Sequence, residues 1–269
     1  DSCTAARIFE PSHEYLENTL ESIGAAFDDG ADAVEIDSLK TREDAIVVFH
    51  DWALDCRTNG HGRTVDHSLE ELQSLDIGYG YTFDDGLSFP FRGKAVGHMP
   101  SLAMVLKQFP GREFVINVKG DRAQDADALA QYFSAKAILD SHEISLFSGP
   151  RFAHRWREIN GGLPISTKAD AKNWVKRYLL FGWTGSVPEI CRMTGLGVPQ
   201  NLSWLYWGWP NLTLERMAEQ GVDVVLTGPL GPNLEAIDDL GQLQVIPKGY
   251  DGWVLTNRVE IIGPELRSR

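Results

Sequence analysis

The sequence predicts an α/β protein and, within that class, a (β/α)₈ barrel with a small inserted subdomain. Short apolar runs typical of strands alternate with segments of helical periodicity along most of the 269 residues, the pattern of a parallel sheet wrapped by helices. A hydrophobic fraction of 43% at this length suffices for one large core, so we expect a single domain spanning residues 1–269. A doubly wound sheet would share the alternation, but no Gly-x-Gly-x-x-Gly or Walker loop follows a predicted strand.

The first helix is predicted to start after Glu17-Asn18-Thr19, where Asn18 or Thr19 can cap it, and to end at Gly30. A strand, a polar turn and a second strand follow within residues 33–51. Further helices are predicted at 101–109, 124–139, 151–158 and 168–181, and further strands at 114–119, 144–148, 222–227 and 252–256, with a less regular candidate near 196–202.

Residues 52–100 differ in composition from both flanks. They are rich in glycine, aromatic and polar residues, and only a short helix at 68–75 interrupts them. So long a stretch with little regular structure inside a compact domain is more typical of a functional insertion than of a linker. We therefore expect residues 52–100 to form an inserted subdomain that binds substrate.

Composition excludes several classes of partner. A net charge of −13 with scattered basic residues argues against nucleic-acid binding. The sequence has no apolar run of about 18 residues and no N-terminal signal pattern, so we expect a soluble protein. Three cysteines, at positions 3, 56 and 191, are too few and too irregularly spaced for a disulfide framework or a zinc motif.

Three ionisable side chains are predicted to converge on one rim of the sheet. Glu35 and Asp37 are two residues apart on a predicted strand, so both carboxylates face the same side, roughly 7 Å apart, and can share one cation. His50 closes the next apolar run, and an imidazole titrates near neutral pH. The alternatives are a structural salt-bridge or capping pair and a hydrogen-bonded rim histidine.

Several motifs occur together in a fixed order. They are Glu17-Asn18-Thr19, Gly30-Ala31-Asp32-Ala33-Val34-Glu35-Ile36-Asp37, Phe49-His50-Asp51, Leu54-Asp55-x-Arg57-Thr58-Asn59-Gly60-x-Gly62, Asn117-Val118-Lys119 and Gly249-Tyr250-Asp251-Gly252-Trp253-Val254-Leu255-Thr256. In this order and spacing the chain resembles the glycerophosphodiester phosphodiesterase family, most strongly over 17–62 and least over 150–215. The resemblance implies a TIM barrel in which residues 52–100 are the inserted substrate-binding subdomain.

The resemblance also implies roles for individual residues. Glu35 and Asp37 would bind Mg²⁺ or Ca²⁺, and His50 would act in acid–base catalysis. Asn117 stands where the family has a third acidic ligand, and its amide oxygen can still bind a hard cation. Lys119 would contact the phosphoryl group. The alternatives are a buried amide that satisfies backbone groups and a lysine that pairs with Glu35 or Asp37.

Two departures from the family pattern matter. The family supplies a catalytic histidine from a His-Arg pair before Glu-Asn-Thr, and no such pair occurs here. Either Ala6-Arg7 replaces it, or the first strand and its His-Arg lie upstream of residue 1, which we prefer because residues 1–6 make a poor barrel strand. Asn117 is the second departure, and it leaves the metal site one negative charge short.

Peripheral contacts with substrate are assigned to Arg57 and Trp253, although Arg57 can equally shape a loop. The Trp-rich stretch 204–210 is either a packed aromatic cluster or an apolar wall for an acyl chain or a choline-like head group. Trp253 can join it.

The expected function is metal-dependent hydrolysis of a glycerophosphodiester, or of a related lysophospholipid-like diester, to glycerol phosphate and an alcohol. The alternative is a catalytically impaired binding protein of the same fold. A glycosidase is disfavoured, because Glu35 and Asp37 face one way and cannot flank a sugar. Membrane contact is expected only through substrate, an extracytoplasmic location is marginally preferred to a cytoplasmic one, and the oligomeric state stays open.

Overall fold

The computed structural model describes residues 3–134, 142–159, 161–185, 187, 195–231 and 235–268. The chain forms two compact units. The first comprises Asp1–Phe27 and Asp32–Leu163, and the second comprises Asp28–Ala31 and Pro164–Arg269. The predicted insertion, residues 52–100, lies entirely within the first unit.

A sheet with strand order β2-β1-β3-β4 forms the centre of the first unit. Its strands are β1 (Ala33–Lys40), β2 (Ile46–Val48), β3 (Glu113–Val118) and β4 (Ile144–Ser148). β1, β3 and β4 run parallel, whereas β2 pairs antiparallel with β1. The turn 41–45 is too short for a parallel crossover, which needs a dozen or more residues, so the chain forms a hairpin there.

The helices of the first unit begin where the sequence predicts. They are α1 (Leu20–Asp28), α2 (Leu69–Gln73), α3 (Leu102–Gln108), α4 (Ala123–Ser134) and α5 (Pro150–Glu158). Of the two candidate caps for α1, Thr19 is the one used: its hydroxyl accepts from Ser22 N at 3.1 Å. Ser68 and Ser101 cap α2 and α3. The predicted end of α4, residues 135–139, lies outside the described residues.

Loops of residues 52–100 pack their apolar side chains onto the hairpin. Leu54, Leu72 and Met99 are fully buried and share one cluster with Leu39 of β1 and Val47 of β2. This burial fixes the insertion to the sheet without regular secondary structure of its own beyond α2 and a 3₁₀ helix at Thr64–Asp66.

The N-terminal stretch contains a 3₁₀ helix at Ala5–Arg7, and the described residues ahead of α1 include no strand. A disulfide bond joins Cys3 to Cys56, with their Cα atoms 5.3 Å apart. The sequence does not predict this bond, because the two cysteines are 53 residues apart and form no recognisable spacing. Cys191 lies outside the part of the chain that the structure describes.

The second unit contains the remaining elements. They are β5 (Ile165–Ser166), α6 (Lys168–Phe181), β6 (Leu196–Pro199), α7 (Asn211–Ala218), β7 (Val224–Thr227), β8 (Trp253–Val254) and α8 (Val259–Arg267). β6, β7 and β8 form a parallel sheet. The candidate strand near 196–202 is therefore confirmed over Leu196–Pro199. The two-residue strand β5 was not predicted. The longest described helix, α6, has 14 residues, and none of those placed is long and apolar enough to cross a bilayer.

An aromatic core holds α6 in the second unit. Trp174 and Tyr178 stack with ring centroids 5.0 Å apart, and Tyr206 lies beyond them, 6.1 Å from Tyr178. All three are buried, so part of the Trp-rich stretch does pack into a core, as one of the two interpretations predicts.

Candidate active site

The parallel register of β1 and β3 brings most of the predicted site together. Asp37 lies opposite Asn117, and the backbone N–H of Lys119 donates to Ser38 O at 3.0 Å just beyond β3. The hairpin brings in the histidine, because Phe49 N donates to Asp37 O at 3.0 Å and places His50 next to that level of β1. Five predicted site residues therefore share one end of the first unit's sheet.

Asp37 is held on both carboxylate oxygens. Asn18 donates its Nδ2 to Asp37 Oδ2 at 3.0 Å and accepts from the Asp37 backbone N–H at 2.8 Å, using an unusual positive φ of 61°. Lys119 Nζ lies 2.7 Å from Asp37 Oδ1. Asp37 is only 8% exposed, so its charge is buried and neutralised by Lys119. Lys119 therefore forms the ion pair with Asp37 that was one of its two predicted roles.

Glu35 is in a different environment from Asp37. Its Oε1 accepts from Asn117 Nδ2 at 2.9 Å, and its side chain reaches solvent. Surrounding protein nevertheless raises the pKa of Glu35, and the nearby charge of Asp37 raises it further, against the opposing effects of the Asn117 hydrogen bond and of Lys119 and His50. Burial and the nearby charge of Asp37 therefore outweigh the three groups that favour the charged form of Glu35.

His50 is oriented by the residue that follows it. Its Nδ1 lies 2.5 Å from Asp51 Oδ1. Among the described residues Nε2 has no hydrogen-bond partner, so it is the ring nitrogen available for chemistry, on a side chain that is 40% exposed. Burial alone would raise the pKa of Asp51, but the hydrogen bond from His50 and the charge of Arg57 outweigh it and lower that pKa. In the sequence Asp51 belongs to the Phe49-His50-Asp51 motif but has no predicted role, and its adjacency to His50 was the available signal.

Arg57 lies behind Asp51 and is 4% exposed. Its Nε pairs with Asp51 Oδ2 at 2.9 Å, its Nη1 contacts Glu17 and donates to the Tyr81 hydroxyl at 2.6 Å, and its Nη2 donates to Thr4 Oγ1 at 2.8 Å. Burial would lower the pKa of Arg57, but Glu17, Tyr81 and Asp51 raise it on balance. All three nitrogens are engaged, which favours a positioning role over the predicted contact with substrate.

Trp253, the other predicted substrate contact, lies in β8 of the second unit and is partly buried. Its assignment to substrate binding stays a prediction.

A divalent cation fits the oxygen donors at this rim. Within the described residues, no three side chains of His, Cys, Asp or Glu form a metal-binding cluster. The oxygen donors at this rim are the carboxylates of Glu35 and Asp37 and the amide oxygen of Asn117, which takes no part in the hydrogen bond to Glu35. Carboxylate and amide oxygens are ligands of Mg²⁺ and Ca²⁺. A cation would offset burial and the charge of Asp37, the two causes that raise the Glu35 pKa.

The sequence profile of the Glycerophosphoryl diester phosphodiesterase family matches residues 11–145, half of the chain. The chain belongs to this family. The match contains Glu35, Asp37, His50, Asn117 and Lys119, the five residues that the structure gathers at the rim.

Relatives and solved structures agree with the family assignment. The Bacillus subtilis protein YhdW is 33% identical over 158 residues, which are 56% of this chain and 59% of YhdW. The chain thus covers less than two thirds of that relative's length.

Two solved structures resemble the chain over nearly its whole length. The glycerophosphoryl diester phosphodiesterase domain of a Mycobacterium tuberculosis protein superposes with a TM-score of 0.68 at 16% identity, covering 98% of this chain and 97% of that domain. An Oleispira antarctica phosphodiesterase in complex with the product sn-glycerol-3-phosphate gives 0.61 at 19% identity, covering 95% and 93%. This likeness confirms the predicted fold class, an α/β TIM barrel.

Proposed function

We propose that the chain is a metal-dependent glycerophosphodiester phosphodiesterase that releases glycerol phosphate and an alcohol. Membership of the family supports the reaction class. The observation that carries the proposal is the placement of His50, held by Asp51 at 2.5 Å, beside the Glu35 and Asp37 carboxylates. The Oleispira phosphodiesterase is described with sn-glycerol-3-phosphate as its product, which supports the same product class here.

We assign Glu35, Asp37 and Asn117 as the protein ligands of the cation, Mg²⁺ or Ca²⁺. When bound, the cation supplies charge stabilisation for a phosphate oxygen in the transition state. The site carries two carboxylates and one amide, so we expect weaker cation binding than three carboxylates would give.

The chain's own residues supply positioning and proton transfer. Lys119, fixed 2.7 Å from Asp37, contributes positive charge next to the phosphoryl group. The hydroxyl of a water bonds to phosphorus as the P–O bond to the alcohol breaks. Nε2 of His50 passes a proton to the departing alkoxide, and the remaining proton of the water restores the one that His50 gave up. Asp51 keeps the imidazole in this orientation.

The test is hydrolysis of glycerophosphocholine and of lysophosphatidylcholine by the purified protein with Mg²⁺, with Ca²⁺ or with EDTA. We expect turnover that EDTA abolishes, and a His50→Ala variant whose kcat falls by about 10²–10⁴-fold. His61→Ala is the matched control, since His61 forms a similar pair with Asp55 at 3.0 Å but is 86% exposed and is not among the five residues gathered at the rim.

Equal losses in the two histidine variants would contradict the assignment of His50. Cation binding without turnover of either substrate would instead favour the alternative function, a binding protein of this fold. The observation that supports this alternative is Asn117, which stands where the family has a third acidic ligand.

We also propose an extracytoplasmic location, supported by the Cys3–Cys56 disulfide, because such bonds persist mainly in oxidising compartments. Alkylation of the protein taken from its native cell without reduction, followed by mass spectrometry, should leave both cysteines unmodified. Free thiols at both positions would overturn this location.

A further inference from the structure

The end of α6 carries an exposed apolar cluster that the proposed chemistry does not use. Leu180, Phe181 and Trp183 are 66%, 57% and 65% exposed, and Trp207 beside them is 45% exposed. We call these four residues the aromatic edge. Large apolar side chains exposed next to one another, rather than singly, mark a binding surface.

The aromatic edge is held in place by internal hydrogen bonds. Trp183 Nε1 donates to Leu180 O at 3.1 Å, and Trp207 Nε1 donates to Leu179 O at 2.9 Å. The Tyr178 hydroxyl donates to Trp207 O at 3.1 Å and anchors that loop to the aromatic core. Because both indole N–H groups are already paired, the rings can enter an apolar medium without leaving a donor unsatisfied.

Basic residues precede the aromatic edge on the exposed side of α6. Lys172, Lys176 and Arg177 are exposed. At helical spacing, Lys172 and Lys176 align with Leu180, and Arg177 aligns with Phe181. The outward face of α6 is therefore cationic in its middle and apolar in its last turn, on a chain whose net charge is −13.

We propose that the aromatic edge and the basic face of α6 dock on an anionic phospholipid surface. Aromatic and leucine side chains insert at the boundary of head groups and acyl chains, and neighbouring lysine and arginine side chains bind anionic head groups. A two-fold contact between two aromatic edges would use the apolar part of the surface alone, whereas an anionic lipid surface engages the basic face as well. This surface goes beyond the expectation that membrane contact occurs only through substrate.

Co-sedimentation of the protein with vesicles tests the proposal without any activity measurement. We expect binding to vesicles that contain phosphatidylglycerol in phosphatidylcholine, weaker binding to phosphatidylcholine alone, and weakening by salt. A Phe181→Ser/Trp183→Ser variant and a Lys172→Glu/Lys176→Glu variant should each bind about tenfold or more weakly. Leu87→Ser is the control, since Leu87 is 89% exposed in the first unit. This variant should bind vesicles like the unaltered protein.

All these substitutions are at exposed positions, and circular dichroism checks that each variant is folded. Absence of binding to both vesicle types, or equal binding by the Phe181→Ser/Trp183→Ser variant, would overturn the proposal. So would a dimer, seen by sedimentation velocity, that this variant converts to monomer, because the aromatic edge would then be covered by a second copy.

Discussion

Glu35 and Arg57, the two ends of the segment 35–57, carry their charges in contrasting electrostatic environments. Arg57 is buried and surrounded by partners that compensate its charge. Glu35 is open to solvent, faces the like charge of Asp37 and has a raised pKa. Both ends belong to the first unit and both were singled out from the sequence as site residues.

This contrast distinguishes residues that support the site from residues that take part in its chemistry. A fully compensated buried network contributes rigidity, and here it holds Asp51 and through it His50. Like charges left close together at an accessible rim are typical of a site that gains from binding a cation. Substitutions at the two ends should therefore change stability in opposite directions.

The largest effect is expected for Arg57→Met. Asp51 and Glu17 lose their shared counter-charge, so the free energy of unfolding should fall by about 3–5 kcal/mol. Urea unfolding followed by circular dichroism measures it. Arg63→Met is the control, because Arg63 also binds an aspartate, Asp66, at 2.8 and 2.9 Å but on an exposed surface. The free energy of unfolding of Arg63→Met should fall by less than about 1 kcal/mol. A similar decrease in both variants would remove the distinction between the two ends.

An intermediate effect is expected for Asn117→Asp. A third carboxylate raises the negative charge at the rim, so the dissociation constant for Mg²⁺ or Ca²⁺ should fall by about tenfold. The apo variant should also be less stable, since the hydrogen bond from Asn117 to Glu35 is replaced by repulsion.

Isothermal titration calorimetry measures the cation affinity of Asn117→Asp. Asn173→Asp adds the same charge at an exposed position of α6 and should leave the affinity unchanged. Unaltered affinity in Asn117→Asp would argue that residue 117 is not a ligand.

The smallest effect is expected for Glu35→Gln and depends on pH. Because the folded-state pKa of Glu35 lies above its ordinary value of 4.5, the folded protein loses stability as pH rises from 4.5 through that raised pKa. The glutamine variant escapes this loss, so without divalent cation it should be more stable at neutral pH and show no gain below pH 4.5. Solvent screening keeps the gain under about 1 kcal/mol.

Thermal unfolding of Glu35→Gln at acid and neutral pH in EDTA is the measurement. Glu14→Gln, at a side chain that is 87% exposed and 3.4 Å from Lys94, should show no such gain at neutral pH. A glutamine variant that is less stable at neutral pH would mean that the fold does not disfavour the charged form of Glu35.

The sequence predicted features that depend on nearby residues. Helix starts at Thr19, Ser68 and Ser101 follow from side chains that cap the next turn, and the strand at 114–119 is an apolar run of ordinary length. The convergence of Asp37 and Asn117 could also be predicted, because parallel strands place their carboxyl ends together.

Features that depend on distant residues could not be predicted. The partners of Arg57 come from positions 4, 17, 51 and 81, and no local pattern joins them. The Cys3–Cys56 disulfide links the same two segments, since Thr4 and Arg57 each follow one of the bonded cysteines. The role of Asn18 escaped for the same reason: its side chain binds Asp37, 19 residues away, instead of capping α1.

The turn 41–45 limits how this chain can change in length. Thr41 N donates to Ala45 O at 2.7 Å and Asp44 has a φ of 63°, so the turn fixes which residues of β1 and β2 face each other. One inserted residue would slide β2 by roughly 3.3 Å and turn its side chains to the opposite face, and His50 would leave the carboxylates. Insertions and deletions in descendants of this sequence should therefore be absent from 41–45 and accumulate in surface loops that carry no such register.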